Sequence, residues 1–343
     1  MSLQTARALR AYNRGFLVLH YRLGIGDGPV PFRIGSRWAS DFGFVTHRDS
    51  WFWHQSGRRV LQHQYDWYLM NPDGGWRRYW GSRVLYEAHL LGDDGVFADS
   101  LSVPQFLGAA NFSPPLLYFV GERAWMGRID RFMRYEHRRL RGRLWLIPNA
   151  GSWITTRDRT DYSLADGVMI EGFAEADASS FYALGDWQLQ MNRVLGLVRL
   201  GRVILAQSYL SAPDMTARGF VLGSYLLIKG SHTFLNMDVG LEAQWFPEYR
   251  IDLGPPLSAA PRNIDELRRP GGLYVRRFVR GSVAVNPGVT AVSLRLSAPA
   301  TLVQPIGGGA LPADASVTGW RLRQMRVTGS VTVPAHGGIV LLG

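Results

Sequence analysis

The chain has 343 residues, 46% of them hydrophobic and 19% charged, with 39 glycines. That composition excludes a disordered tail, a collagen-like repeat and a coiled coil, and the length suits one large domain with an appendage or two ordinary ones. The net charge is +11, yet Lys229 is the only lysine among the 38 basic residues, so the charge reflects arginine usage and is discounted as a nucleic-acid signal. Cysteine is absent, which removes disulfides and thiolate metal sites and leaves the compartment open.

In chain order, Met1 to Gly15 is Arg-studded with no apolar centre, so no signal peptide is expected there. Leu3–Tyr12 reads as a helix. Short apolar runs then alternate with helical patterns. Strands are expected at Phe16–Tyr21, Asp66–Met70 (a weaker run), Gly95–Asp99, Leu144–Pro148, Gly167–Glu171, Val203–Gln207 and Thr233–Met237. Helices are expected near Gly75–Leu91, Glu122–Leu140, Phe181–Leu200 and Met215–Lys229. The longest apolar helical stretch, Gly219 to Ile228, is far shorter than the roughly 18 to 20 residues of a membrane span.

Strands alternating with helices predict parallel β/α units. An open doubly wound sheet would satisfy that pattern. A (β/α)8-type TIM barrel satisfies it better, because Tyr21, Asp99, Asn149, Glu171, Gln207 and Asp238 fall at strand C-terminal ends, where barrel enzymes place their chemistry. Counted that way, the barrel lacks its first strand, so either the chain start is truncated or another segment closes the gap. After Gly254 the text changes to a Pro-rich linker, and then to alternating β-branched runs with turn signals. Residues 1–254 are read as the barrel, 255–270 as the linker and 271–343 as a small antiparallel β-sandwich.

One internal echo carries chemistry. Asp94-Gly95-Val96-Phe97-Ala98-Asp99 and Asp166-Gly167-Val168-Met169-Ile170-Glu171 each end in a carboxylate five residues after the leading Asp. Counted as the ends of the fourth and sixth strands, both acids would point into the barrel mouth. Two facing carboxylates are what glycoside hydrolysis requires. Either acid alone could equally cap a helix or pair with an arginine. Asp94 and Asp166 read more simply as turn residues entering a strand.

Asn71-Pro72 ahead of Trp76 and Tyr79, then DGVFADS, IPNAG, DGVMIEGF, WFPEYRIDLGPP from Trp245, and FVRGSVAVNP from Phe278 resemble the hypothetical glycoside-hydrolase-like barrel proteins. More distantly they resemble the endo-α-1,4-polygalactosaminidase-type barrels. The resemblance spans roughly residues 3 to 290. It implies Asp99 as nucleophile, Glu171 as general acid/base and a retaining course. It also implies a polysaccharide or oligosaccharide substrate, no cofactor, and export to the cell surface or beyond. The family's first strand is not found in this chain. A non-catalytic carbohydrate-binding protein on a degenerate barrel is the competing reading. Oligomeric state is not legible.

Around the pair, Tyr21, Trp51, Trp53, Trp67 and Trp153 could stack on sugar rings or fill the core, and Asn149, Gln207 and Asp238 could bind hydroxyls or satisfy loop backbone. His20 reads as a satisfied barrel histidine. Glu248, in the Trp245–Tyr249 motif, is either a plug residue or a further acid. Gly24 to Gly28 is glycine-rich after a strand, but Pro29 and Pro31 forbid the helix that a phosphate loop must open. His54 and His63 lack metal-ligand spacing, and no metal is expected. The basic run Arg134–Arg143 reads as a solvated helix end, where cations favour the helix dipole.

Overall fold

The computed structural model describes residues 3–29, 41–118, 120–177, 180–238 and 242–343. By internal contacts the chain divides into two compact units, Met1–Gly151 with Thr156–Met169, and Ser152–Thr155 with Ile170–Gly343. Pro31 lies outside the described residues.

In the first unit the strands Leu19–Leu23, Gly95–Asp99 and Trp145–Pro148 run parallel in that order. A single parallel bridge, Asn149 to Met169, continues the order into the strand Gly167–Glu171. The leading aspartates of the repeated motif clamp the base of the neighbouring strand. The Asp94 carboxylate accepts from the Val18 amide at 2.8 Å and from Arg10 at 2.5 Å. The Asp166 carboxylate accepts from the Leu146 amide at 2.9 Å and meets His137 at 3.0 Å. Each also donates its own amide back, to the carbonyls of Val18 and Leu146. The two turns are thus the same device used twice, each with one basic side chain from a helix.

The helix Gly75–Leu91 buries Trp76, Trp80, Val84 and Ala88 at helical spacing and stops at Gly92, whose φ of 68° supplies the left-handed end. Its two indoles donate to the carbonyls of Leu23 (2.8 Å) and Gly24 (3.1 Å), satisfying backbone where the first parallel strand ends. On the helix-facing side of that strand, His20 is held between Glu87 at 3.0 Å and Asp93 at 3.4 Å. Burial alone would lower the imidazole pKa, and the two acids outweigh it and raise the pKa.

The run Asp66–Met70 is not a parallel strand. Trp67–Leu69 pairs antiparallel with Gly26–Asp27 and Leu61–Gln62, and Leu61–Gln62 pairs with Phe112–Ser113. A five-residue run carries no signal of strand direction: its alternation, with Trp67 and Leu69 buried and Tyr68 partly exposed, also occurs within the parallel strand Gly95–Asp99. Gly95–Asp99 therefore lies directly beside Leu19–Leu23, and the expected count of seven parallel strands becomes six among the described residues.

In the second unit the strand order runs from the end of Gly167–Glu171 through Val203–Gln207 to Thr233–Asn236. Residues beyond Leu273 form a five-stranded antiparallel sheet and a two-stranded one. Leu273, Ala284 and Val333 make their shared core, with Val292, Leu294 and Ile339 against it.

The helix Met215–Ile228 is capped by Asp214, which accepts from the amides of Thr216 and Ala217. From Ala217 to Ile228 every residue but Gly219 is buried. It packs directly on the strand Gly337–Leu342, and a Cβ added at Gly219 would sit 2.5 Å from the Gly338 carbonyl oxygen. Gly219→Ala is expected to destabilise the protein by about 1–3 kcal/mol through overpacking, measured by urea unfolding. An unchanged midpoint would show that this contact is looser than described.

Candidate active site

Asp99 ends its strand with three donors on its carboxylate. Tyr21, on the neighbouring strand, donates its hydroxyl to Oδ2. Asn149 donates from Nδ2 to Oδ1 at 2.8 Å, and the Ser100 amide donates to the same oxygen at 2.7 Å. Asn149 is itself oriented by the Gly151 amide, 2.9 Å from its Oδ1. Among the described residues these three partners of the group are donors, the setting of an accepting carboxylate. Tyr21, Asp99 and Asn149, far apart in sequence, are brought together.

In the second unit, Glu171 ends its strand with the Tyr209 hydroxyl donating to Oε1. The strands of both acids show one burial pattern, with positions one, two and four buried and three and five partly exposed. The acids occupy the fifth, partly exposed position in each. The turn after Glu171 is built by Gln190 of the helix Leu184–Arg199, a fully buried amide. Gln190 accepts from the Ala174 amide at 2.8 Å and donates to the carbonyls of Gly172 (3.0 Å) and Ser152 (2.6 Å). The Gln207 carbonyl closes the turn, accepting from the amides of Gly172 and Phe173.

Backbone strain occurs at these strand ends, as it does at four other non-glycine positions among the described residues. Ser100 (φ 52°), Trp153 (φ 52°) and Ala174 (φ 66°) are non-glycine residues in the left-handed region. Such residues cost of order 1–3 kcal/mol each and persist where surrounding structure enforces them, commonly at functional sites.

The other predicted binders divide. Trp51 lies 4.9 Å from the Tyr79 ring and 6.2 Å from Phe44. Trp53 packs edge-on against Trp125 at 5.0 Å, with the Arg128 guanidinium 4.7 Å over its ring. Trp67 is 4% exposed and packs against Phe112, so it is a core residue and not a sugar platform. Trp153, 8% exposed, lies under Arg193, which donates to its carbonyl at 2.5 Å. Gln207 and Asp238 keep partly exposed side chains. Glu248 is 3% exposed and bidentate to Arg218 at 2.7 and 2.6 Å, so the plug reading holds for it. Tyr249 joins that plug, its hydroxyl accepting from the Met237 amide at 3.2 Å. His54 meets Asp49 at 3.1 Å, and His63 meets the Ala110 carbonyl at 3.1 Å.

The sequence alone singles out neither Tyr209 nor Glu175. Tyr209 could have been noticed as the second residue past a strand that ends in Gln207. Glu175 is fully buried, and neither carboxyl oxygen has a hydrogen-bond partner among the described residues. Burial, then the charges of Asp214, Asp177 and Asp238, push its pKa up to about 8.

Glu136, on the helix Val120–Leu140, is the counterpart in the first unit. It too is fully buried without a hydrogen-bond partner among the described residues, and burial pushes it up to about 8. Its raised folded pKa means the unfolded chain releases a proton from pH 4.5 upward that the folded chain keeps until about pH 8. Stability from this group is therefore lost as pH rises through that window. Glu136→Gln is expected to flatten the decline, gaining on the parent from pH 5 to 8 in chemical denaturation. Parallel profiles would contradict the assignment.

Parallel β/α units with carboxylates at strand C-terminal ends are the arrangement in which barrel enzymes place their chemistry. The chain belongs to hypothetical glycosyl hydrolase family 15, whose model matches residues 10–282. Among solved structures it is similar to the glycoside hydrolase domain of PelA from Pseudomonas aeruginosa, at 18% identity and TM-score 0.45, over 68% of this chain and 83% of that one. It is also similar to a noncanonic maltogenic α-amylase, AmyB from Thermotoga neapolitana, at 13% identity and TM-score 0.45, over 98% and 79%. An α-amylase from Geobacillus thermoleovorans, complexed with acarbose, gives 12% identity and TM-score 0.42, over 99% and 80%. No curated protein matches the chain. No helix among the described residues is long and apolar enough to cross a membrane.

Proposed function

We propose that the protein is a retaining glycoside hydrolase acting on a polysaccharide or oligosaccharide, with Asp99 as nucleophile and Glu171 as general acid/base. The observation that carries this reading is the repeated strand, ending in a carboxylate held by a tyrosine hydroxyl both times. The family assignment supports it. The strand count behind the implied roles is revised, since Gly95–Asp99 adjoins Leu19–Leu23. The roles now rest on the resemblance, with Asp99 held by the Tyr21 hydroxyl, Asn149 and the Ser100 amide, and Glu171 by the Tyr209 hydroxyl.

In the first step Asp99 Oδ attacks the anomeric carbon as Glu171 gives its proton to the leaving oxygen. In the second, Glu171 takes a proton from the water that displaces Asp99. Tyr21 and Asn149 hold the nucleophile's plane, while Trp51, Trp53, Gln207 and Asp238 bind the glycan. The fold carrying this chemistry is a (β/α)8-type barrel, with six parallel strands among the described residues, followed in the chain by an antiparallel β-sandwich. The chemistry needs no cofactor.

The test is reducing-end release from a panel of neutral and acidic polysaccharides, with proton NMR of the first-formed anomer. Release with retained configuration is expected. Oligosaccharide binding without release would favour the non-catalytic reading.

A further inference from the structure

A cleft lies in the second unit, on the side of the loops that lead into its strands. It has a volume of ≈ 920 Å³ and is bordered by Lys229, Gly230 and Ser231, the connection that enters the strand Thr233–Asn236. Glu171, Tyr209 and Asp238 lie at or beyond the other ends of that unit's strands, so this cleft is separate from the proposed chemistry. Its volume is in the range of small-molecule sites.

The polar lining is cationic. Arg276 is 2% exposed, and among the described residues its hydrogen bonds run from Nη1, to the carbonyls of Leu226 (3.2 Å), Leu227 (2.9 Å) and Lys229 (2.9 Å). Those are the last carbonyls of the helix Met215–Ile228 and the residue after it, which the guanidinium caps. Its Nε has no hydrogen-bond partner among the described residues. Burial pulls the guanidinium down to about 10, with no carboxylate acting on it.

Lys229 and Arg199 line the same cleft. Lys229 sits 5.6 Å from the Tyr225 ring, and Arg199 donates to the carbonyls of Pro261 and Arg262. The single carboxylate on the lining, Asp252, is engaged by Arg280. Leu226, Leu253 and Phe278 supply apolar wall. A buried guanidinium without a counter-charge, beside further cations in an open cleft, lacks the anion that would balance it.

We propose that this cleft binds a small organic oxyanion, a carboxylate or phosphate on a compact body, with Arg276 and Lys229 as its partners. The body of the ligand packs on the apolar wall, and Arg199 adds long-range attraction. This site is independent of whether the chain cleaves glycans.

The test is calorimetric titration of the full chain with inorganic phosphate, glucuronate and, as neutral control, glucose. At least one anion is expected to bind and glucose is not, with affinity falling as salt is raised. Glucuronate alone identifies a carboxylate site, and phosphate alone a phosphate site. Lys229→Met, at a partly exposed position, is expected to weaken binding about tenfold, equivalent to 1.4 kcal/mol. Arg276→Gln should abolish it, and Lys229→Met keeps the question answerable should that variant not fold. Absence of anion binding at roughly 10 mM, with no rise in Tm, overturns the proposal. So does equal binding of glucose, or unchanged affinity in Lys229→Met.

Discussion

Asp99→Asn is expected to lower turnover by at least the roughly hundredfold to ten-thousandfold that one positioned acid or base supplies, because it removes the nucleophile that forms the covalent intermediate. Glu171→Gln is expected to fall in the same range while leaving the melting temperature close to the parent's. Both changes keep the shape of the side chain. In Asp99→Asn the new amide oxygen can still accept from Tyr21 or from Asn149 and Ser100, the donors now on the carboxylate. In Glu171→Gln the amide oxygen can still accept from Tyr209. What each variant loses is a charge or a proton at a strand end. The losses should not add, because two residues acting in one step fail together. Reducing-end release, measured on the glycan the parent cleaves best, reads the effect. Either variant retaining half of parental turnover would remove that residue from the chemistry.

Glu248→Leu is expected to produce the largest loss of stability. Arg218 is fully buried and gives two of its nitrogens to Glu248, with a third hydrogen bond to the Ala212 carbonyl at 3.0 Å. Removing the carboxylate leaves a desolvated guanidinium unpaired, which costs about 3–5 kcal/mol. A fall in Tm on the order of 10 °C follows. Arg218→Met combined with Glu248→Leu should recover much of it, since an apolar pair removes both charges from the interior. A double variant no more stable than the single one would show that the ion pair fixes this part of the fold and not merely its own charges.

The parallel strands were legible because each is a short apolar run ending in a polar residue. The pairing of Trp67–Leu69 was not, because a run of five residues does not reveal whether its second face is covered. The helix Met215–Ile228 showed in the text as an unusually apolar stretch. Its cause, burial in the core with close packing on Gly338, belongs to residues more than a hundred positions away. The Asp99 and Glu171 strands announced themselves through their repeated Asp-Gly-Val opening. The aspartates of that opening do more than turn the chain, since they accept from the adjoining strand's amides. Tyr209, Gln190 and the buried Glu175 were hidden because their meaning lies in contacts across the fold. Trp67 and Trp153 were misleading for a related reason. A tryptophan near a strand end looks the same in sequence whether its ring faces a cleft or a neighbouring side chain.

The most direct measurement is the separation of the Asp99 and Glu171 carboxyl groups in a crystal structure. It requires no knowledge of the glycan. A retaining pair predicts about 5 to 5.5 Å. A value of roughly 6.5 to 9.5 Å would contradict the retaining course and indicate an inverting one. Carboxyls farther apart than that would contradict the pair itself.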